Sequence, residues 1–229
     1  MTQVVEYMKK ESLKQQAYNI IKNKIVTCEY PPNTLLNEEK LKEEIGASRT
    51  PIRDALSRLE QEELVEILPK KGIVVAPLSI RQINAVYEVR MLVEPYAIKH
   101  YAYRIPAERF EYYKELFSRE PDESQRTKAD IENVYNIDDK LHIEFIEAMD
   151  NEYFQAMYER IFVQNCRIRI LSGVKSDRRI ADTQKEHLKI IQACVKGKWT
   201  DAADAMKEHL ICSKRASFAT LFEDGDIFL

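Results

Sequence analysis

Apolar residues recur along this chain at two different spacings, and the second of them gives out near residue 77. From Leu13 through Ala17, Ile20, Ile21 and Ile25 the helical spacing predicts a first helix over about Ser12–Cys28, ended by Tyr30, Pro31 and Pro32. Leu41 and Ile45 give a short second helix one apolar edge, and Ile52, Ala55, Leu56 and Leu59 give a third helix its buried face. The period then falls to two. Val65–Pro69 and Gly72–Ala76 read as strands joined across Lys70 and Lys71. After Ser79 no strand pattern returns. Helical stripes run over about Ile80–Ala102, Ala107–Phe117, Lys128–Met149, Tyr153–Leu171, Asp177–Lys196 and Trp199–Leu221. The breaks fall at Pro106, Pro121, Asp150–Asn151, Gly173 and Gly197. Such helices bury their stripes best as an antiparallel bundle. The expected fold is therefore mainly α. A winged helix-turn-helix of three helices plus a small β-hairpin occupies residues 1–77, and an all-α antiparallel helical bundle occupies residues 78–229.

Punctuation between the helices supports the first part. Asn37 is an N-cap, Glu38 and Glu39 sit at the positive end of the helix dipole, and Gly46 suits a left-handed stop. Thr50 is expected to cap the next helix, with Pro51 at its first position. Two helices joined by so short a turn cross steeply, as in a helix-turn-helix. Ser48, Arg49, Thr50 and Arg53 gather at the start of the second helix, where free amides favour an anion. An arginine there reaches a base edge in the major groove, while hydroxyls and amides hold phosphate. A basic hairpin tip beside it forms a wing. Double-stranded DNA is the expected partner. Ser79 is expected to cap the first helix of the bundle.

Residues 46–65 (GASRTPIRDALSRLEQEELV) and 70–79 (KKGIVVAPLS) resemble the DNA-binding signature of the GntR family of bacterial transcription regulators. The resemblance implies that Arg49 and Arg53 read the operator, helped by Ser48 and Thr50, with Lys71 and Gly72 at the wing tip. Two positions depart from the pattern. Glu63 stands where the family usually has glycine, which puts a different closure of that helix end in view. Glu39 stands where some members carry a DNA-contacting arginine, which removes one contact.

Net charge is -3 over 229 residues, a weak argument against nucleic acid. The objection softens because residues 1–77 hold 12 basic and 12 acidic side chains, with basic groups at the recognition-helix start and the wing. No signal peptide or membrane-spanning run is present, and the four cysteines form no CxxC pair, so a cytoplasmic protein with reduced thiols is expected. Cys194 and Cys212 are expected to fill the core.

The bundle's chemistry lies in its histidines. Asp138 and His142 share one helix face a turn apart, whereas Asp139 points off it. His187 and His209 lie on two later helices. By their spacing alone these are equally a metal-ligand set or ordinary core residues. Arg90 suits a carboxylate ligand, or else pairs with Glu94 one turn on. Residues 86–102, 138–151 and 186–199 resemble the helical effector domain called FCD, found in the FadR-type branch of GntR regulators. That resemblance implies a divalent ion, zinc or nickel, held by Asp138, His142, His187 and His209. A small carboxylate effector completes the shell, with Arg90 and Asn165 beside it. A metal-dependent enzyme acting on a small organic acid is the alternative, yet no general base or nucleophile stands beyond the ligands. A bundle that only dimerises is a third. The expected protein is a repressor that binds a two-fold-symmetric operator as a homodimer and does not act as an enzyme.

Overall fold

Ser12 opens helix α1 (Leu13–Val26) because its hydroxyl accepts the Gln15 amide, 3.2 Å away. The computed structural model describes residues 11–118, 128–172 and 177–222. After α1 come strand β1 (Leu35–Leu36), helices α2 (Glu38–Ile45) and α3 (Arg49–Gln61), and strands β2 (Val65–Leu68) and β3 (Gly72–Val75). The strands form one antiparallel sheet in the order β1-β3-β2. Ile21, Ile25, Leu41, Ile52, Leu56, Leu59, Leu64 and Val75 are buried and form the core of this part. Asn37 caps α2 by accepting the Glu39 and Lys40 amides, and Gly46 closes it at φ +70°.

Three details differ from the sequence expectations. The cap of α3 is Ser48, not Thr50, so Pro51 is the third helical residue; its missing amide is still one of the four that no intrahelical partner would satisfy. Strand β1 was not expected, since two residues carry no periodicity. Glu63 takes φ +58°, the glycine-like conformation, while Leu64 N–H bonds Leu59 C=O and Glu63 N–H bonds Glu60 C=O, both at 2.9 Å. The helix therefore ends in the glycine-type closure with a glutamate in the left-handed position.

The chain divides between Leu78 and Ser79 into two compact units. Ser79 caps the second unit's first helix with a reciprocal capping box to Gln82. That unit contains α4 (Ile80–Tyr101), a 3-10 turn at Ala102–Arg104, α5 (Ala107–Ser118), α6 (Lys128–Glu147), α7 (Glu152–Leu171), α8 (Asp177–Val195) and α9 (Trp199–Phe222). Its core holds Ile98, Phe110, Phe145, Ile190, Ile191, Met206 and Leu210, with α9 against α4 and α8 and with α5 against α8. The breaks expected at Pro121 and Gly173, and the unpatterned first ten residues, lie outside the described residues. Cys194 is buried as expected, but Cys212 is exposed. It sits two residues past buried Leu210, about 200° around a helix and so on the far side. Among the described residues no helix is long and apolar enough to cross a membrane.

Candidate metal centre and nucleic-acid interface

Five helices, α4 and α6 to α9, bring charged or titratable side chains into the interior of the second unit. Asp138 and His142 project from α6 one turn apart, His187 comes from α8 and His209 from α9. All four are buried, and one donor atom from each lies within 4.8 Å of the others. Asp138 Oδ1 is 2.9 Å from His187 Nε2 and 3.7 Å from His142 Nε2, and those two ring nitrogens are 3.2 Å apart.

Carboxylates behind the rings fix which nitrogen faces inward. His142 Nδ1 donates to Glu94 Oε2 at 2.5 Å, and His209 Nδ1 donates to Glu186 Oε2 at 2.7 Å. With Nδ1 so committed, Nε2 of each ring is left as the donor for the centre. His187 stacks on Phe117 of α5 with ring centroids 4.7 Å apart, and its buried Nδ1 has no hydrogen-bond partner among the described residues. Asp138 Oδ2 accepts from Arg169 of α7, which also grips Asp139 at 2.6 and 2.7 Å; Asp139 is not one of the four converging donors.

Arg90 and Asn165 stand beside His142. Arg90 Nε donates to Glu94 Oε1 at 2.7 Å and Nη1 donates to Asn165 Oδ1 at 2.6 Å, while Nη2 lies 3.4 Å from His142 Nδ1. The Tyr158 hydroxyl donates to Glu94 Oε1 at 2.5 Å. The Arg90–Glu94 pair weighed from the sequence exists, buried rather than on the surface. Burial opposes ionisation of Glu94, but Arg90 and His142 outweigh it and hold the carboxyl well below the usual range. Burial likewise opposes charge on His142, yet Glu94 and Asp138 raise its imidazole to about 9. His209 goes the other way, down to about 3, through burial and the neighbouring His187. The centre is thus arranged around a charge balance rather than an apolar void.

Sequence reasoning missed Glu94 as an orienter of His142, Glu186 as the orienter of His209, and Tyr158 and Arg179 as the groups that hold those two carboxylates. Glu186 precedes His187 in the chain but bonds His209 on another helix, so nothing local marked it.

The first unit presents a different surface. Ser48, Arg49, Thr50 and Arg53 are all exposed around the start of α3, and the Ser48 hydroxyl makes no capping bond. Lys71 and Gly72 are exposed at the hairpin tip, where Lys70 and Gly72 take φ +65° and +104° to close the turn.

The bacterial regulatory proteins of the gntR family match residues 13–75, and the FCD domain family matches residues 85–211, more than half of the chain. This chain belongs to the GntR family and carries an FCD domain. As a GntR regulator it binds DNA through its helix-turn-helix, and its relatives are transcription regulators, not enzymes. An HTH-type regulator of Agrobacterium vitis is 42% identical over 78 residues, which is 34% of this chain and 46% of that protein. The transcriptional repressor RspR of Escherichia coli is 24% identical over 202 residues, covering 87% of this chain and 86% of the repressor. Among solved structures, a GntR transcriptional regulator from Rhodococcus sp. RHA1 is similar with a TM-score of 0.75 at 15% identity, covering 91% of this chain and 99% of that one. The Zn2+-bound FCD domain of the transcriptional regulator TM0439 is similar with a TM-score of 0.52 at 22% identity, covering 64% of this chain and 98% of that one.

Proposed function

We propose that this GntR regulator is a cytoplasmic repressor whose FCD domain holds one divalent ion and senses a small carboxylate. Asp138, His142, His187 and His209 hold the ion, and zinc or nickel suits three imidazoles and one carboxylate. The observation that carries the reading is the convergence of four buried donors, two of whose rings are aimed inward by carboxylates. Bonds of about 2.0–2.1 Å in a tetrahedron separate ligands by roughly 3.3 Å, close to the 2.9, 3.2 and 3.7 Å among the Asp138, His187 and His142 donors, with the His209 donor within 4.8 Å of them. An ion of higher coordination keeps open positions for an effector carboxylate, with Arg90 and Asn165 beside it. The zinc in the similar FCD domain of TM0439 points the same way.

In the DNA-binding unit, Arg49 and Arg53 read bases in the major groove, Ser48 and Thr50 hold phosphate, and Lys71 and Gly72 carry the wing to the backbone. Symmetric half-sites require two such helices at fixed separation, so a homodimer through the FCD domain binds a two-fold-symmetric operator. An acid that binds one arrangement of the bundle more tightly shifts the regulator toward it and changes operator affinity.

Metal analysis of protein purified without a histidine tag tests the centre. About one ion per chain is expected, and His187→Ala with His209→Ala should lose it while retaining operator affinity measured without acid. Full occupancy in that double variant overturns the assignment. Arg90→Lys, which keeps the charge facing Glu94 but loses the planar fork, should keep the metal and weaken the response to small organic acids.

A further inference from the structure

Both arginines assigned to the operator are engaged before any DNA arrives. Arg49 Nε and Nη2 donate to Glu39 Oε1 at 2.9 and 2.5 Å, and Glu39 Oε2 accepts from Lys42 at 2.5 Å. Arg53 Nε donates to Glu38 at 3.1 and 3.3 Å. The two glutamates are the first two residues of α2, so the start of one helix holds the arginines at the start of the next.

Which edge of each guanidinium they take matters. A guanine is read by two parallel donors, to O6 and N7. In Arg53 the carboxylate takes Nε and leaves both terminal nitrogens available; in Arg49 it takes the Nε–Nη2 side and leaves Nη1 and the second Nη2 hydrogen. The end that reads guanine is therefore the end that keeps donors open. A carboxylate in this place also acts on the backbone of DNA. It repels phosphate, so it subtracts from the attraction that draws an arginine to any sequence. The charge of the whole DNA-binding part agrees, since its acidic and basic side chains are equal in number.

We infer that Glu38 and Glu39 set the sequence discrimination of this regulator, bracing Arg53 and Arg49 for guanine while weakening their hold on phosphate. This rests on the reading of the two arginines as base contacts. Position 39 has then not simply lost a contact by lacking an arginine; it has exchanged a DNA contact for a brace.

The full-length protein with Glu38→Gln and Glu39→Gln tests this, because glutamine keeps an acceptor for arginine and drops the charge. Binding to a random-sequence duplex pool is followed by fluorescence anisotropy through a potassium chloride titration. Base preference is read by selection from the same pool, with Glu38→Ala and Glu39→Ala included. The double glutamine variant is expected to bind the random pool about tenfold more tightly at low salt, with a salt slope steeper by up to about one per charge removed. The alanine variants are expected to lose a guanine preference in each half-site. Unchanged pool affinity and slope, together with unchanged base preference, overturn the inference. Arg49→Ala and Arg53→Ala separate the two levels. If they lose base preference while the glutamate variants keep it, the bracing role alone falls. If the arginine variants keep it as well, the operator reading falls with it.

Discussion

Arg49–Glu39 and Arg90–Glu94 are the same chemical pair in opposite surroundings. The first stands in water, with side chains 66% and 52% exposed; the second is sealed in the FCD domain at 5% and 0%. In water an ion pair contributes little, competes with salt and exchanges readily for another partner. On the exposed pair that weakness leaves the arginine open, because Glu39 takes only one edge of the guanidinium and the remaining donors stay in water. In the interior neither charge has water to return to, so the pair is fixed and can fix others. Glu94 is held by Arg90 and Tyr158 and in turn holds the His142 ring. One pair leaves room for a further partner, and the other keeps a site from changing.

Removing the buried arginine should show the largest effect. Arg90→Ala leaves Glu94 sealed with only His142 and Tyr158 to answer it, and the loss of one partner of a buried pair costs about 3–5 kcal/mol. Denaturant unfolding of the full chain measures it. A loss comparable to that of an ordinary surface substitution would mean water reaches Glu94, and the two pairs would not differ in kind.

A smaller and opposite effect is expected at Glu63, where a side chain sits in a conformation that glycine adopts without strain. Glu63→Gly should stabilise the DNA-binding unit by roughly 0.5–1 kcal/mol, since relief of the left-handed strain outweighs glycine's added freedom in the unfolded chain. The midpoint of thermal unfolding reports it. A fall would show that the Glu63 side chain contributes more than its backbone costs.

Much of both regions was legible because helices impose their own geometry. The spacing of Leu13, Ala17, Ile21 and Ile25 foretold α1, and the four-residue step from Asp138 to His142 placed both on one face of α6 whatever packs against it. The cap at Asn37 and the stop at Gly46 were readable for the same reason, being local. What was not legible depends on partners far away in the chain. Successive helical residues diverge by about 100°, so Glu186 beside His187 turns to His209 on α9, a choice that only packing makes. Strand β1 exists because Leu35 and Leu36 pair with Val74 and Ile73. The α3 cap was misplaced for a plainer reason: Ser48 and Thr50 both suit the position, and the backbone chose the first. The exposed arginines were found from composition at a helix start, but their glutamate partners lie ten and fifteen residues earlier and were read as helix-dipole residues and, for Glu39, as a lost DNA contact.

The smallest expected effect is on stability at Arg49. It is the first residue of α3, where a positive charge meets the positive end of the helix dipole and weakens the helix. Its pair with Glu39 offsets that repulsion, but both side chains are mostly in water and both are screened by salt. Alanine at the same position would lose the pair, lose the repulsion and gain helix propensity. Arg49→Ala should therefore leave the thermal midpoint unchanged, at low and at high salt, while operator affinity falls. Arg90→Ala should do the reverse and move the midpoint strongly. If Arg49→Ala also lowered the midpoint, the exposed pair would be holding α2 to α3, and its arginine would be a structural residue rather than one kept for DNA.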